Sequence, residues 1–138
     1  MAYFVDTALF LALVLERDRF HDIAIRWQEK TEGGLVTTGY VLVETMNGLS
    51  QRKFRAVADA LVRRVKMAEE FEVIPASENL MNAGMDLFRE RADTDWSLTD
   101  RISFVAMRER GLREALASDH HFEQAGFRAL LLENPSRE

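Results

Sequence analysis

The sequence predicts an α/β fold: a three-layer α/β/α arrangement around a central, mostly parallel sheet of about five strands. Three observations predict it. Short strand-like runs recur at Ala2 to Val5, Leu35 to Thr38, Phe71 to Ile74, Glu114 to Ser118 and Arg128 to Leu132. The segments between them carry apolar residues at helical spacing. Strands that alternate with helices in this way favour parallel pairing, with both sheet faces covered. The 138 residues suit one domain, spanning 1–138 and able to bury about two-thirds of its unfolded surface.

Taken in order, the apolar run from Met1 to Leu15 does not read as a signal peptide. It has no basic lead, Asp6 interrupts it, and charges resume at Glu16. It is also too short to span a bilayer as a helix, so no membrane association is expected. It divides into a buried strand ending at Asp6, then a turn and a short apolar helix. An aspartate inside an apolar segment is costly to bury unless it is paired or bound to a cation. Phe20, Ile23, Ala24 and Trp27 give helical spacing from about Asp18 to Lys30, with Trp27 in the core and His21 on the surface. Gly33-Gly34 ends that helix. The next helix, Gly39 to Leu49, contains Glu44, which shares its side with Tyr40, Asn47 and Gly48, away from Val41, Leu42 and Met46. A glutamate on such a mixed face is usually just solvated. Gly48 is compatible with the close approach of a neighbour.

From Phe54 to Glu70 an amphipathic helix is expected, with Phe54, Val57, Ala58, Leu61, Val62 and Val65 on one face. Arg52, Lys53, Arg55, Arg63, Arg64 and Lys66 form the one basic concentration of the chain. Such a strip is ordinarily a solvated face, the alternative being a phosphate-tracking surface. Pro75 stops the third strand, and Ser77 caps a helix running to about Arg91.

The stretch from Asp93 to Phe122 is the most informative. Ser97-Leu-Thr-Asp100 fits the start of a helix, where an acid meets orphan N–H groups and the positive dipole end; capping alone would account for Asp100. The helix it opens is apolar nearly all round, however. Only Arg101 and Arg108 mark a polar stripe, and Asp100 falls between Phe104 and Met107 instead. Asp119 ends the fourth strand and precedes a helical turn, His120 to Gln124; an Asx turn would also explain it. Ligands of open α/β sheets bind just beyond the carboxyl ends of the strands, so Asp6, Asp100 and Asp119 together outline an anionic pocket. Trp96 is first of all a packing residue, with stacking on a base as the alternative. Gly126 breaks the chain before the last strand, and the tail from Glu133 to Glu138 reads as frayed.

Composition narrows the function. The chain has no cysteine, which excludes disulfides and thiolate zinc sites and suits the reducing cytoplasm. Its net charge of −5 argues against a protein that coats nucleic acid through overall basicity. There is no P-loop, GxGxxG, HExxH or GxSxG pattern. His120 and His121 are adjacent and diverge on a helix, so a metal site built on histidine is not expected; one built on oxygen is open.

Across essentially its whole length the chain resembles the PIN domain family, and VapC-type toxins in particular. The resemblance rests on Asp6-Thr7 after a strand, Glu44 in the helix after the second strand, Trp96-Ser-Leu-Thr-Asp100 through Ser103-Phe104, and Glu114-Ala-Leu with Asp119-His-His-Phe122-Glu-Gln-Ala-Gly-Phe127. It implies a metal-dependent endoribonuclease, the toxin of a type II toxin–antitoxin pair. Cleavage would leave a 5′-phosphate and a 3′-hydroxyl. It also implies a homodimer and a cognate antitoxin whose tail occludes the acidic groove. Two positions depart from the family pattern: Ala8 stands where Ser or Asn often follows Asp-Thr, and Ala117 where Thr commonly precedes the last acid by two.

The residue types suit that chemistry. Hard divalent cations, Mg²⁺ or Mn²⁺, prefer oxygen ligands and can supply a nucleophilic water and stabilise charge on a phosphodiester. Asp6, Asp100 and Asp119 would be metal ligands, directly or through water. Glu44 would complete a catalytic set of Asp6, Glu44, Asp100 and Asp119, orienting a water or assisting proton transfer. Two unit charges ~4 Å apart repel by about 4 kcal/mol at an effective dielectric of 20, so clustered acids imply a cation. Asp95 is a candidate auxiliary acid, though a solvated loop charge also explains it. A catalytically degenerate PIN-fold module that binds RNA or a protein is the alternative. An aspartyl phosphatase is disfavoured, because Ala8 stands where a second aspartate is needed and none of Lys30, Lys53 and Lys66 ends a strand.

Overall fold

Parallel pairing of five short strands brings the scattered acids to one edge of a sheet. The computed structural model describes residues 2–31 and 33–135. In chain order the strands are β1 (Ala2–Val5), β2 (Gly34–Thr38), β3 (Phe71–Ile74), β4 (Glu114–Leu116) and β5 (Arg128–Ala129). The helices are α1 (Thr7–Val14), α2 (His21–Lys30), α3 (Gly39–Gly48), α4 (Arg55–Met67), α5 (Glu78–Glu90), α6 (Leu98–Glu109) and α7 (His120–Gln124). All pairings are parallel and the spatial order is β3-β2-β1-β4-β5.

That order reverses at β1. The chain steps outward from β1 through β2 to β3, then returns to β4 and β5 on the other side. With right-handed crossovers, outward and return connections cover opposite faces, which gives the three-layer α/β/α arrangement. The reversal point, between β1 and β4, is where ligands of open α/β sheets bind. Register fixes it closely: Val5 lies opposite Leu116, so Asp6 and the segment leading to Asp119 emerge side by side. The Asp6 N–H donates to the Leu116 carbonyl at 3.3 Å.

The core is built on Phe4, Val5, Phe10, Phe104, Leu116, Phe122 and Leu130, all essentially inaccessible. Phe104 on α6 is its hub. It meets Trp96 edge-on at 5.1 Å and Phe122 edge-on at 4.9 Å, and packs against Phe127 at 5.6 Å. One buried ring thereby ties the 95–97 segment, the α6 start and α7 together, and each of these carries a site residue. Edge-to-face aromatic pairs contribute ~0.5–1.5 kcal/mol beyond area burial. Trp96 is fully engaged in this packing, with its Nε1 donating to Gln124 Oε1 at 3.0 Å, so it offers no free face to a base.

Several boundaries differ from the sequence reading. Helix α1 follows Asp6 directly, with no intervening turn, and α2 begins at His21 rather than Asp18. His21 is half-buried, its Nδ1 2.6 Å from the Ala12 carbonyl oxygen. The expected helix from Phe54 begins as a 3-10 turn, Arg52–Phe54, and ends at Met67. Strand β4 stops at Leu116, and β5 is only Arg128–Ala129 before a 3-10 turn, Leu130–Leu132. That turn keeps Leu130 and Leu131 in the core, and the Leu131 N–H still donates to the Ala117 carbonyl at 3.1 Å. The start of the expected frayed tail is docked: Glu133 accepts from Trp27 Nε1 at 2.9 Å and pairs with Arg128, while residues 136–138 lie outside the described residues.

The largest departure is Arg101, expected on a polar stripe and found 2% exposed. It has carbonyl oxygens for partners. Its guanidinium donates to Trp96 O, Leu87 O, Arg91 O, Thr94 O and Thr94 Oγ1 at 3.0–3.3 Å. Leu87 and Arg91 supply carbonyls at the end of α5, where a cation is favoured by the helix dipole. Arg101 therefore clamps the 91–96 loop onto α6, just ahead of Ser97 and Asp100.

Candidate active site

Each acid reaches the site by a local rule. Asp6 is the residue after β1 and occupies the N-cap of α1, so its carboxylate sits where a strand ends and a helix dipole begins. It is 6% exposed, and among the described residues its Oδ1 is buried with no hydrogen-bond partner. Asp119 caps α7, its Oδ1 accepting from the His121 N–H at 2.9 Å. The Asx-type role read from sequence is real, and it leaves Oδ2 for the site. Ser97 caps α6, with Oγ accepting from the Asp100 N–H at 3.0 Å. The hydroxyl thus does the capping, while Asp100 Oδ2 lies 3.2 Å from His121 Nδ1.

These residues line one cavity of about 340 Å³, together with Glu44, Asp95, Ser97 and His121. All four acids singled out from sequence, Asp6, Glu44, Asp100 and Asp119, are brought together there. Asp95 stands exposed at its margin. Glu44 arrives on α3, which closes against α1: a β-carbon at Gly48 would sit 3.1 Å from Leu11 Cδ2, and Leu11 lines the cavity. The close approach with which Gly48 is compatible is therefore present.

The electrostatics are those of crowded carboxylates. Burial pushes Asp6 up to about 7, reinforced by the charges of Asp100 and Glu44 and only partly offset by the Thr7 and Ala8 backbone amides. Asp100 is also raised, chiefly by burial, and the hydrogen bond from His121 partly opposes this. An unpaired, buried aspartate oxygen facing two or three further carboxylates is unfavourable for an ionised protein alone. A divalent cation relieves both the missing partner and the repulsion, and the oxygen-rich donor set suits a hard ion. The residues present fit such an ion.

His121 is what the sequence reading missed. His120 and His121 do diverge: His120 is exposed and pairs with Glu123 at 2.7 Å. His121 turns inward, its Nδ1 3.2 Å from both Asp100 Oδ2 and Asp119 Oδ2. Adjacency of two histidines hid this, since spacing along the chain cannot show which ring faces β1. The one available signal was its position two residues after the strand-end acid, on the same short helix.

A parallel sheet that reverses order at β1, with a buried strand-end aspartate on one side of the reversal and a capping aspartate on the other, defines an acid-site α/β protein whose clustered side chains could hold a cation. The chain belongs to the PIN domain family, whose model matches residues 3–128. It is 30% identical over 125 residues to the 23S rRNA-specific endonuclease VapC20 of Mycobacterium tuberculosis, covering 90% of this chain and 94% of that protein. The crystal structure of M. tuberculosis VapC20, described as a sarcin-ricin loop cleaving toxin, superposes with a TM-score of 0.86 at 27% identity, covering 94% of this chain and 98% of that one. The fold is shared more distantly with FitAcB from Neisseria gonorrhoeae, at a TM-score of 0.64, 12% identity and coverage of 91% and 93%.

Proposed function

We propose that this chain is a metal-dependent endoribonuclease and the toxin of a toxin–antitoxin pair. The observation that carries the reading is Asp6: a buried strand-end carboxylate with one oxygen unpartnered, sharing a cavity with Glu44, Asp100 and Asp119. Asp6, Asp100 and Asp119 would hold Mg²⁺ or Mn²⁺. Bound there, such an ion would supply an activated water and neutralise charge on the phosphodiester. Glu44 lies at the cavity wall, where it can orient that water and accept its proton. Ser97 and the Arg101 clamp fix the start of α6, so that Asp100 is held in place before substrate arrives.

RNA is the substrate class favoured by the likeness to VapC20, which is named for its action on 23S rRNA. A structured rRNA hairpin is therefore the first substrate to test. Arg52, Lys53, Arg55, Arg63, Arg64 and Lys66 are all exposed and available to track phosphates, although Arg63 is also paired with Asp59 at 3.1 Å. Homodimerisation and an antitoxin are part of the same proposal. Val43 and Met46 on α3 and Met81 and Phe88 on α5 are large apolar side chains left exposed, the composition of protein-contact surfaces. Among the described residues no helix is long and apolar enough to cross a membrane, and a cytoplasmic location is proposed with the rest.

The decisive experiment compares the wild type with Asp6→Asn, which keeps shape and removes the charge. Cleavage of 23S rRNA and of a model hairpin should fall by at least about a hundredfold, and expression should cease to slow growth of a bacterial host. Equal cleavage and equal growth inhibition by both proteins would remove the nuclease reading. Metal-independent RNA binding by both, without cleavage, would favour a binding module on this fold.

A further inference from the structure

We propose that His121 is itself a cation ligand through Nδ1, completing the set made by Asp100 and Asp119, and that it biases the site toward Mn²⁺ over Mg²⁺. The proposal rests on the metal-dependent reading above and names the atom that reading leaves out. Its first support is geometric. Nδ1 lies 3.2 Å from Asp100 Oδ2 and 3.2 Å from Asp119 Oδ2, and the three donor atoms all fall within 4.8 Å of one another. The hydrogen bond to Asp100 is longer than the ~2.7–2.9 Å usual for a charge-assisted N–H···O⁻ bond, and Nδ1 is equally near a second carboxylate oxygen, that of Asp119. Neighbouring ligands of an octahedral ion with bonds of about 2.0–2.3 Å are, by contrast, about 2.8–3.3 Å apart. The spacing is that of adjacent ligands on one ion.

The second support is independent of the histidine. Asp6 Oδ1, buried and without a partner among the described residues, belongs to a side chain lining the same cavity, so the site has a further donor waiting. The third is how the ring is placed. Asp119 uses Oδ1 to hold the His121 backbone N–H at 2.9 Å, which sets the ring beside Oδ2 and leaves the side chain 28% exposed. Imidazole nitrogen is a better ligand for Mn²⁺ than for Mg²⁺, which is harder and keeps its waters.

The test uses the whole chain with Mn²⁺ alone, no RNA. Pulsed EPR of the Mn²⁺ complex should show ¹⁴N coupling from a directly bound imidazole, replaced by ¹⁵N coupling when the protein is labelled with ¹⁵N-histidine. His121→Ala and His121→Gln should abolish it. Calorimetry should show Mn²⁺ affinity falling about tenfold or more in His121→Ala, with Mg²⁺ affinity changed by less than about threefold. Equal losses for both ions would make His121 a positioning residue that acts through the carboxylates, and would overturn the proposal. Tight Mn²⁺ binding by the wild type without nitrogen coupling would also overturn it, leaving the nuclease reading intact. No Mn²⁺ binding by the wild type would end both. The EPR readout needs only the wild-type protein, so a variant that folds poorly does not blunt the test.

Discussion

At the scale of single residues, Asp6 carries the sharpest prediction. Its folded-state pKa is raised to about 7 from an ordinary value of 3.8, so the native state binds its proton more tightly than the unfolded chain does. That contribution is fully present below about pH 3.8 and is lost as pH climbs through about 7. In EDTA, the melting temperature should therefore decline from about pH 4 to about pH 7 and level off above that, by an amount corresponding to at most about 4 kcal/mol. Asp6→Asn should flatten the decline, and saturating Mn²⁺ should reverse it by pairing the ionised form. A profile identical in the wild type and Asp6→Asn would show that Asp6 is not the titrating group. Asp100→Asn separates site from cap in the same assay. The metal-free variant should be no less stable, because repulsion is relieved, while its Mn²⁺-induced shift should shrink sharply. If Asp100 matters only to the helix dipole, the variant loses up to about 1 kcal/mol with or without metal.

Among the secondary-structure elements, the α5–α6 pair governs whether the site is presented at all. Gly84 is buried on α5 against Ile102 on α6, and a β-carbon there would overlap Ile102 Cγ1. Gly84→Ala should destabilise by about 1–3 kcal/mol through overpacking, despite the better helix propensity of alanine. In an Ile102→Ala background that penalty should vanish; an additive double mutant in urea denaturation would place the clash elsewhere. Arg101→Ala removes the donor for four loop and helix carbonyls at once. A loss of about 3–5 kcal/mol is expected, with faster amide exchange across residues 91–97. Arg101→Lys should rescue little, since an ammonium cannot reproduce the planar fork of donors.

Over the whole molecule, the acidic cavity and the exposed basic strip give opposite responses to ions. A cation that binds only the native state at a hundredfold excess over its dissociation constant stabilises by ~2.7 kcal/mol, or roughly 5–10 °C for a chain this size. A wild-type melting point unmoved by tenfold steps of Mn²⁺ would remove the metal site. Replacing Arg63, Arg64 and Lys66 with Gln should weaken RNA affinity and flatten its salt dependence, because fewer counterions are released. Turnover at saturating RNA should stay near the wild-type value. Unaltered affinity at low salt would show that this face of α4 is solvated surface and nothing more.

What the sequence by itself determined is what local rules govern. The strand ending at Asp6, the Ser77 and Ser97 caps, the break at Gly126 and the run His120 to Gln124 all follow from short-range periodicity and hydrogen bonding, and each is where the chain said it would be. Asp6 and Asp100 were legible as candidates because a carboxylate in an apolar setting is costly wherever it ends up. Asp119 stood out at a strand end, and Glu44, on a mixed face, only through the resemblance to the PIN family. The tertiary structure decided what depends on neighbours distant in the chain. Sheet order placed β4 beside β1 and so joined Asp119 to Asp6, and no spacing within either segment encodes that adjacency. It turned His121 inward and His120 outward, buried Arg101 under carbonyls from α5, and left Met46 and Val57 exposed although both sat on apolar faces of their helices. A helix wheel gives the direction of each side chain from its own axis. Whether protein or water lies in that direction is fixed only when the other elements pack against it.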